Sequence, residues 1–104
     1  MEQPVHLESI GNIIFVKPQT LYVKVGDTIK FYVDDANEYD IVIPNKDKFF
    51  VSATGATIEE PATAALNPVT PAVNLKAVKT EKIYEVTTPG GGTTDAPPKI
   101  IVHT

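Results

Sequence analysis

The chain has 104 residues, with nine lysines, no arginine and thirteen acids, for a net charge of −4. An acidic chain without arginine lacks the basic face that nucleic-acid phosphates and anionic membrane surfaces require. No run reaches the roughly 18 consecutive apolar residues of a spanning helix, and the absence of cysteine excludes disulfides, thiolate nucleophiles, iron–sulfur clusters and cysteine-based zinc sites.

Valine (12), isoleucine (10) and threonine (12) dominate, against four leucines. Their β-branched side chains suit the pleated surface of a strand better than a helix. In chain order, strands are predicted over residues 5–10, 13–17, 21–25, 28–33, 40–43 and 49–53. Period-2 alternation is clearest in the third and fourth, where Leu21, Val23 and Val25, then Ile29, Phe31 and Val33, mark one face. Gly26-Asp27 punctuates them, because glycine takes a positive φ without steric cost. Residues 58–66 break the pattern: acids precede Pro61, alanines follow, and Asn67-Pro68 stops the run, so a helix of one or two turns is predicted there. The chain is then extended over 67–71. Strands follow at 73–78 and 82–87, a loop without apolar pattern at 89–98, and a closing strand at 99–103. Nine short strands separated by turn residues, with no internal repeat or composition shift, predict one β-sandwich or barrel domain spanning 1–104.

Two of these segments resemble a known family. Leu21-Tyr22-Val23-Lys24-Val25-Gly26-Asp27-Thr28-Ile29-Lys30-Phe31-Tyr32-Val33 resembles the I-x-V-x-x-G-D-T-V-x-F-x-N segment of the cupredoxins, the plastocyanin-like sandwiches. Tyr39-Asp40-Ile41-Val42-Ile43-Pro44 stands where those proteins carry a histidine followed by an apolar strand, a spacing similar also to the copper domain of cytochrome oxidase subunit II. Residues 75–90 resemble the stretch leading to the family's Pro-Gly turn, and Lys99-Ile100-Ile101-Val102 the closing strand. Immunoglobulin-like domains use similar paired strands, so that topology is the alternative.

The resemblance implies a type 1 copper site, which takes two histidines, a cysteine thiolate and a weak methionine. Here Tyr39 occupies the first histidine position, cysteine is absent, and Met1 is the only methionine. After Pro89-Gly90 the ligand loop is replaced by the shorter Gly91-Gly92-Thr93-Thr94-Asp95-Ala96-Pro97-Pro98. The expectation is a cupredoxin-like fold with no type 1 copper and no other cofactor.

The densest polar cluster is residues 34–40. Asp34, Asp35, Asn37, Glu38 and Asp40 supply oxygen ligands of the kind calcium takes six to eight at a time, although the spacing departs from an EF-hand loop. The alternative reading is a solvated connection with Asx-type turns. His6 and His103 lie in the first and last predicted strands, and one pair falls short of the three or four ligands of a zinc site. Phe49 and Phe50 are neighbours on a strand, so one ring is expected in the core and the other exposed or covered by the segment around Ile58. Tyr22 and Tyr32 fall on the face opposite Val23 and Phe31; with Tyr39 and Tyr84 they are candidates for a binding surface, or for cross-strand pairing on a half-exposed sheet. Gly90–Gly92 opens no helix and cradles no phosphate. Ser9 and Ser52 lack the nucleophile-elbow context, and the neighbouring acids Glu59-Glu60 and Asp34-Asp35 have nothing to raise one pKa.

The sequence therefore predicts an all-β, antiparallel Greek-key sandwich, cupredoxin-like or immunoglobulin-like, with one short helix in a connection. Its predicted role is a non-catalytic binding module that recognises a protein or glycan through loops or a tyrosine-bearing face. The alternatives are a calcium-binding module using residues 34–40 and a structural domain that adds a strand to a partner. Met1-Glu2-Gln3-Pro4 has no charged region followed by an apolar stretch, so no signal peptide is predicted. Periplasmic or extracellular placement is expected, with cytoplasmic as the alternative. The sequence leaves the oligomeric state open.

Overall fold

The computed structural model describes residues 1–51 and 57–103. It contains ten strands: β1 (Glu2–Ile10), β2 (Ile13–Lys17), β3 (Thr20–Val23), β4 (Thr28–Val33), β5 (Tyr39–Pro44), β6 (Thr57–Ala62), β7 (Glu81–Ile83), β8 (Glu85–Thr87), β9 (Thr93–Thr94) and β10 (Lys99–Val102). One layer runs β4-β1-β2-β9. The sheets β3-β10-β7 and β6-β5-β8 share the chain from Glu81 to Thr87, whose first half pairs with β10 and whose second half pairs with β5. The two sheets therefore line up as a second layer with a break at Tyr84, where the backbone N–H turns to Pro98 O (3.1 Å).

The β-sandwich expected from the β-branched composition is the fold the chain adopts. Among the described residues, three of the seven strand pairings are parallel: β1 with β4, β10 with β3, and β2 with β9. Both β1 and β10 are interior strands, each flanked on two sides.

Alternation places one side chain in two between the layers. Ile29, Phe31 and Val33 of β4, and Val5 and Leu7 of β1, meet Leu21, Val23, Ile41, Ile43, Ile100 and Val102 of the other layer in one buried cluster. Each such side chain stabilises the fold by about 1.5–3 kcal/mol relative to exposure. Phe31 and Tyr84 cross the interior edge to face, 5.9 Å between centroids. At the Gly26-Asp27 turn, Gly26 has φ +90°, and the Asp27 carboxylate accepts from Lys24 N at 2.9 Å and Gln3 Nε2 at 3.2 Å. The Met1 ammonium lies 3.2 Å from the same carboxylate. Burial would raise the Asp27 pKa, but these donors outweigh it and hold the carboxyl below its ordinary range.

Four expectations are corrected. Residues 58–66 form no helix. Thr57–Ala62 is an antiparallel partner of β5, with Tyr39 opposite Ala62 and Pro44 opposite Thr57. Thr63 and Leu66 close the turn after it with mutual backbone bonds of 3.0 and 3.1 Å. Pairing and the burial of Ile58 and Ala62 override the helix preference of the alanines, and Pro61 is tolerated because β6 is an edge strand. The helical element is instead a 3-10 turn at Leu75–Ala77, inside a predicted strand. Asn74 caps it, its side chain accepting from Lys76 N at 3.2 Å. Within the strand predicted over 49–53, Phe50 makes only an isolated bridge to Val73, and Ser52 and Ala53 lie outside the described residues. Phe49 and Phe50 are both buried, stacked edge to face at 5.0 Å, because the chain leaves extended pairing there.

Candidate functional site

One end of the sandwich gathers the β1–β2 turn, the 34–38 connection, the turn after β6 and the segment after β8. Its framework is a polar network built around the buried Tyr39, with Ser9 and Asp35 half-buried and Asn37 exposed. Asp34 N donates to Leu7 O (2.9 Å), fixing the chain as it leaves β4. The Asp35 carboxylate then accepts from Ser9 N (2.8 Å), the Tyr39 hydroxyl (2.8 Å), Asn37 N (3.0 Å) and Asn37 Nδ2 (2.9 Å). The single Tyr39 hydroxyl proton is committed to Asp35, so Ser9 Oγ, 2.7 Å away, donates to Tyr39. Burial pushes the Asp35 pKa up, yet the four donors prevail and keep it below the usual carboxylate range. The Tyr39 phenol is raised, first by burial and then by the adjacent carboxylate.

The five residues predicted as a cation site do not converge. Asp35 is occupied by internal donors, and Asn37 spends its amide on Asp35. Asp34 pairs with His6 Nδ1 at 3.0 Å, while Glu38 and Asp40 face a separate groove. Among the described residues, no three His, Asp or Glu side chains stand where they could hold a metal ion.

The tyrosines form no common surface. Tyr22 is exposed on the outer side of β3. Tyr32 lies on the outer side of the opposite layer, stacked on His6 at 5.1 Å with Lys30 Nζ 5.2 Å from its ring centre. Tyr39 and Tyr84 belong to the core, 2% and 1% exposed. Tyr39 is drawn inward because Ser9 and Asp35 satisfy its hydroxyl there.

The groove crosses the ends of three adjacent strands and has a volume of about 410 Å³. Its floor follows from strand register: Asp40 is paired with Pro61 on one side and Thr87 on the other. Glu38, just before β5, lines the same groove. Thr88 and Pro89 form one wall and separate this groove from a second depression of about 490 Å³ beside Ser9, Asn12 and Asn37. That wall is held by a tight turn in which Thr88 Oγ1 accepts from Gly92 N (2.9 Å) and Thr88 O accepts from Gly91 N (3.0 Å).

Sequence reasoning weighed Ser9 only as a nucleophile and Gly92 only within a phosphate loop, and missed Thr88. The positions of Ser9 and Thr88 at strand ends beside a predicted loop were the available signal. Ser9 Oγ bonds the Tyr39 hydroxyl and His6 Nδ1 pairs with Asp34.

No protein-family profile and no curated protein sequence matches the chain. Solved structures do. An oxidised amicyanin mutant aligns with a TM-score of 0.65 at 15% identity, covering 97% of this chain and 81% of that one. Pseudoazurin from Methylobacterium extorquens AM1 gives 0.61 at 14% identity, over 99% and 76%. A purple cupredoxin from Nitrosopumilus maritimus gives 0.60 at 13%, over 96% and 98%. The fold is that of the cupredoxins. A further amicyanin match, TM-score 0.63 at 13% identity over 97% and 81%, is a reduced Cu(I) form. The donors here do not fit a type 1 copper centre. The sequence has no thiolate, Tyr39 is hydrogen-bonded into the core, Met1 sits beside Asp27 away from this end, and His6 lies on an outer sheet face paired with Asp34.

Proposed function

We propose that this chain is a non-catalytic binding module on a cupredoxin scaffold, docking a partner at the loop end in the groove beside Glu38, Asp40 and Thr88–Pro89. The observation that carries this reading is the pairing of a concave surface with a rigid support. The groove lies directly over Tyr39, whose hydroxyl is locked by Ser9 and Asp35. A surface fixed in this way loses little conformational freedom on binding, so more of the contact energy appears as affinity.

Amide chemical-shift mapping with ten-residue peptides of cationic, anionic and apolar composition, and with neutral oligosaccharides, tests the reading. Shifts clustered at residues 38–40, 61–63 and 87–89 support it. Binding confined to the outer faces carrying Tyr22 or Tyr32 overturns it.

A further inference from the structure

The register that builds the groove also builds an acidic sheet face. Along the outer side of β5, Asp40 is followed by Val42, and Val42 is paired with Glu59 of β6 and Glu85 of β8. Glu38, Asp40, Glu59 and Glu85 therefore share one face, with Val42, Pro61 and Thr87 between them. Strands about 4.8 Å apart put Glu59 and Glu85 about 10 Å from each other across Val42. No lysine occurs in β5, β6 or β8. The five ion pairs among the described residues join Met1 to Asp27, His6 to Asp34, Lys17 to Glu8, Lys82 to Asp47 and Lys99 to Glu81, so none of the four face carboxylates takes part. The outer side of the opposite layer differs, since Lys17 and Lys30 stand there among Glu8, His6 and Tyr32. Four carboxylates brought together by folding, none of them in an ion pair although Lys99 lies across from Ile83 on the neighbouring strand, repel one another, and a cationic partner relieves that repulsion.

We propose that the occupant of this surface is an extended lysine- or arginine-bearing segment of another protein, running from the groove along the face of β5. This inference rests on the binding reading above and supplies its partner class. The segment's aliphatic stems cover Val42 and Pro61 while its cationic heads meet Glu38, Asp40, Glu59 and Glu85, the division of labour long basic side chains favour. Glu59, Glu60 and Pro61 on edge strand β6 disfavour pairing of a new strand there, so the segment lies across the face.

The test is amide mapping with a ten-residue lysine/alanine peptide and its glutamate/alanine counterpart, at low and at physiological salt, with millimolar calcium as a separate arm. The double variant Glu59→Gln, Glu85→Gln changes two exposed side chains and leaves the core untouched. The expected result is binding of the lysine peptide alone, with shifts from residues 38–42 through 85–89. Affinity should fall about tenfold in the double variant and further as salt rises. If both peptides bind the groove equally, or the double variant binds the lysine peptide unchanged, the cationic partner is wrong while the docking end survives. If no peptide perturbs residues 38–40, 61–63 or 87–89, the docking end itself falls. Saturable calcium binding that reproduces the same shifts and excludes the peptide also overturns the proposal, in favour of a cation site.

Discussion

The Tyr39 hydroxyl donates to the Asp35 carboxylate at 2.8 Å, joining the first residue of β5 to the connection that precedes it. The same oxygen accepts from Ser9 of β1, so one phenol ties the two layers together where the loops meet. Tyr39→Phe keeps the ring and removes both bonds. It is expected to destabilise the protein by about 1 kcal/mol, since half-buried Ser9 and Asp35 each lose a hydrogen bond. Urea unfolding should show a lower midpoint with an unchanged m-value; an unchanged midpoint would mean the network is not stabilising.

Acid should weaken the fold through Asp27 and Asp35. Both carboxyls titrate below the ordinary 3.8 in the folded protein. A depressed folded-state pKa gives stability that is fully present above the unfolded value and is lost as pH falls through the folded one. Unfolding midpoints should thus hold steady from neutral pH to about pH 5 and drop below about pH 4. Asp47, paired with Lys82, is lowered too, so Asp35→Asn removes one of three such contributions and partly flattens that drop, at a cost in neutral-pH stability of about 1–3 kcal/mol from donors left without a full acceptor set.

Tyr84 presents the opposite case. Its hydroxyl is buried and has no hydrogen-bond partner among the described residues, and burial alone pushes its pKa far up. Tyr84→Phe preserves the contact with Phe31 and removes an unsatisfied polar atom. Thermal unfolding is expected to show equal or higher stability, by up to about 1 kcal/mol. A clear loss would reveal a partner for the hydroxyl, such as a buried water.

Gly92 is fixed by space. A Cβ there would lie 2.9 Å from Thr88 Oγ1 and 3.3 Å from Asn12 O. Gly92→Ala forces the Thr88–Gly92 turn apart and should cost about 1–2 kcal/mol by the overpacking mechanism. Adding Thr88→Ala frees the space and restores part of that loss. Denaturant midpoints of the two single variants and the double variant give the coupling directly.

The sandwich was legible because its core strands alternate, as Ile29, Phe31 and Val33 do, and alternation is a property of the chain itself. The missing thiolate ligand was legible without coordinates, since the sequence holds no cysteine. β6 was not, because the acids, proline and alanines of 58–66 are locally helical in character; only β5, about 20 residues away in the chain, makes them a strand. The candidate site divides along the same line. Residues 34–40 could be picked out as polar, but their partition between an internal network around Asp35 and a groove under Glu38 and Asp40 depends on Ser9, Pro61 and Thr87, which meet them only in the fold. Val42 gives no local sign of standing between Glu59 and Glu85.

The interior position of β10 has a consequence for how the chain is completed. Lys99–Val102 is the strip to which both β3 and β7 are bonded. Until those four residues arrive, Leu21 and Val23 have no neighbour on that side, and the second layer exists only as two unattached flaps. Joining β3 to the rest of the layer therefore requires β10, and the long sequence separation between β3 and β10 makes that pairing slow to form. A chain shortened ahead of Lys99 would not be a slightly weaker sandwich; it would expose two raw edges to any other chain nearby.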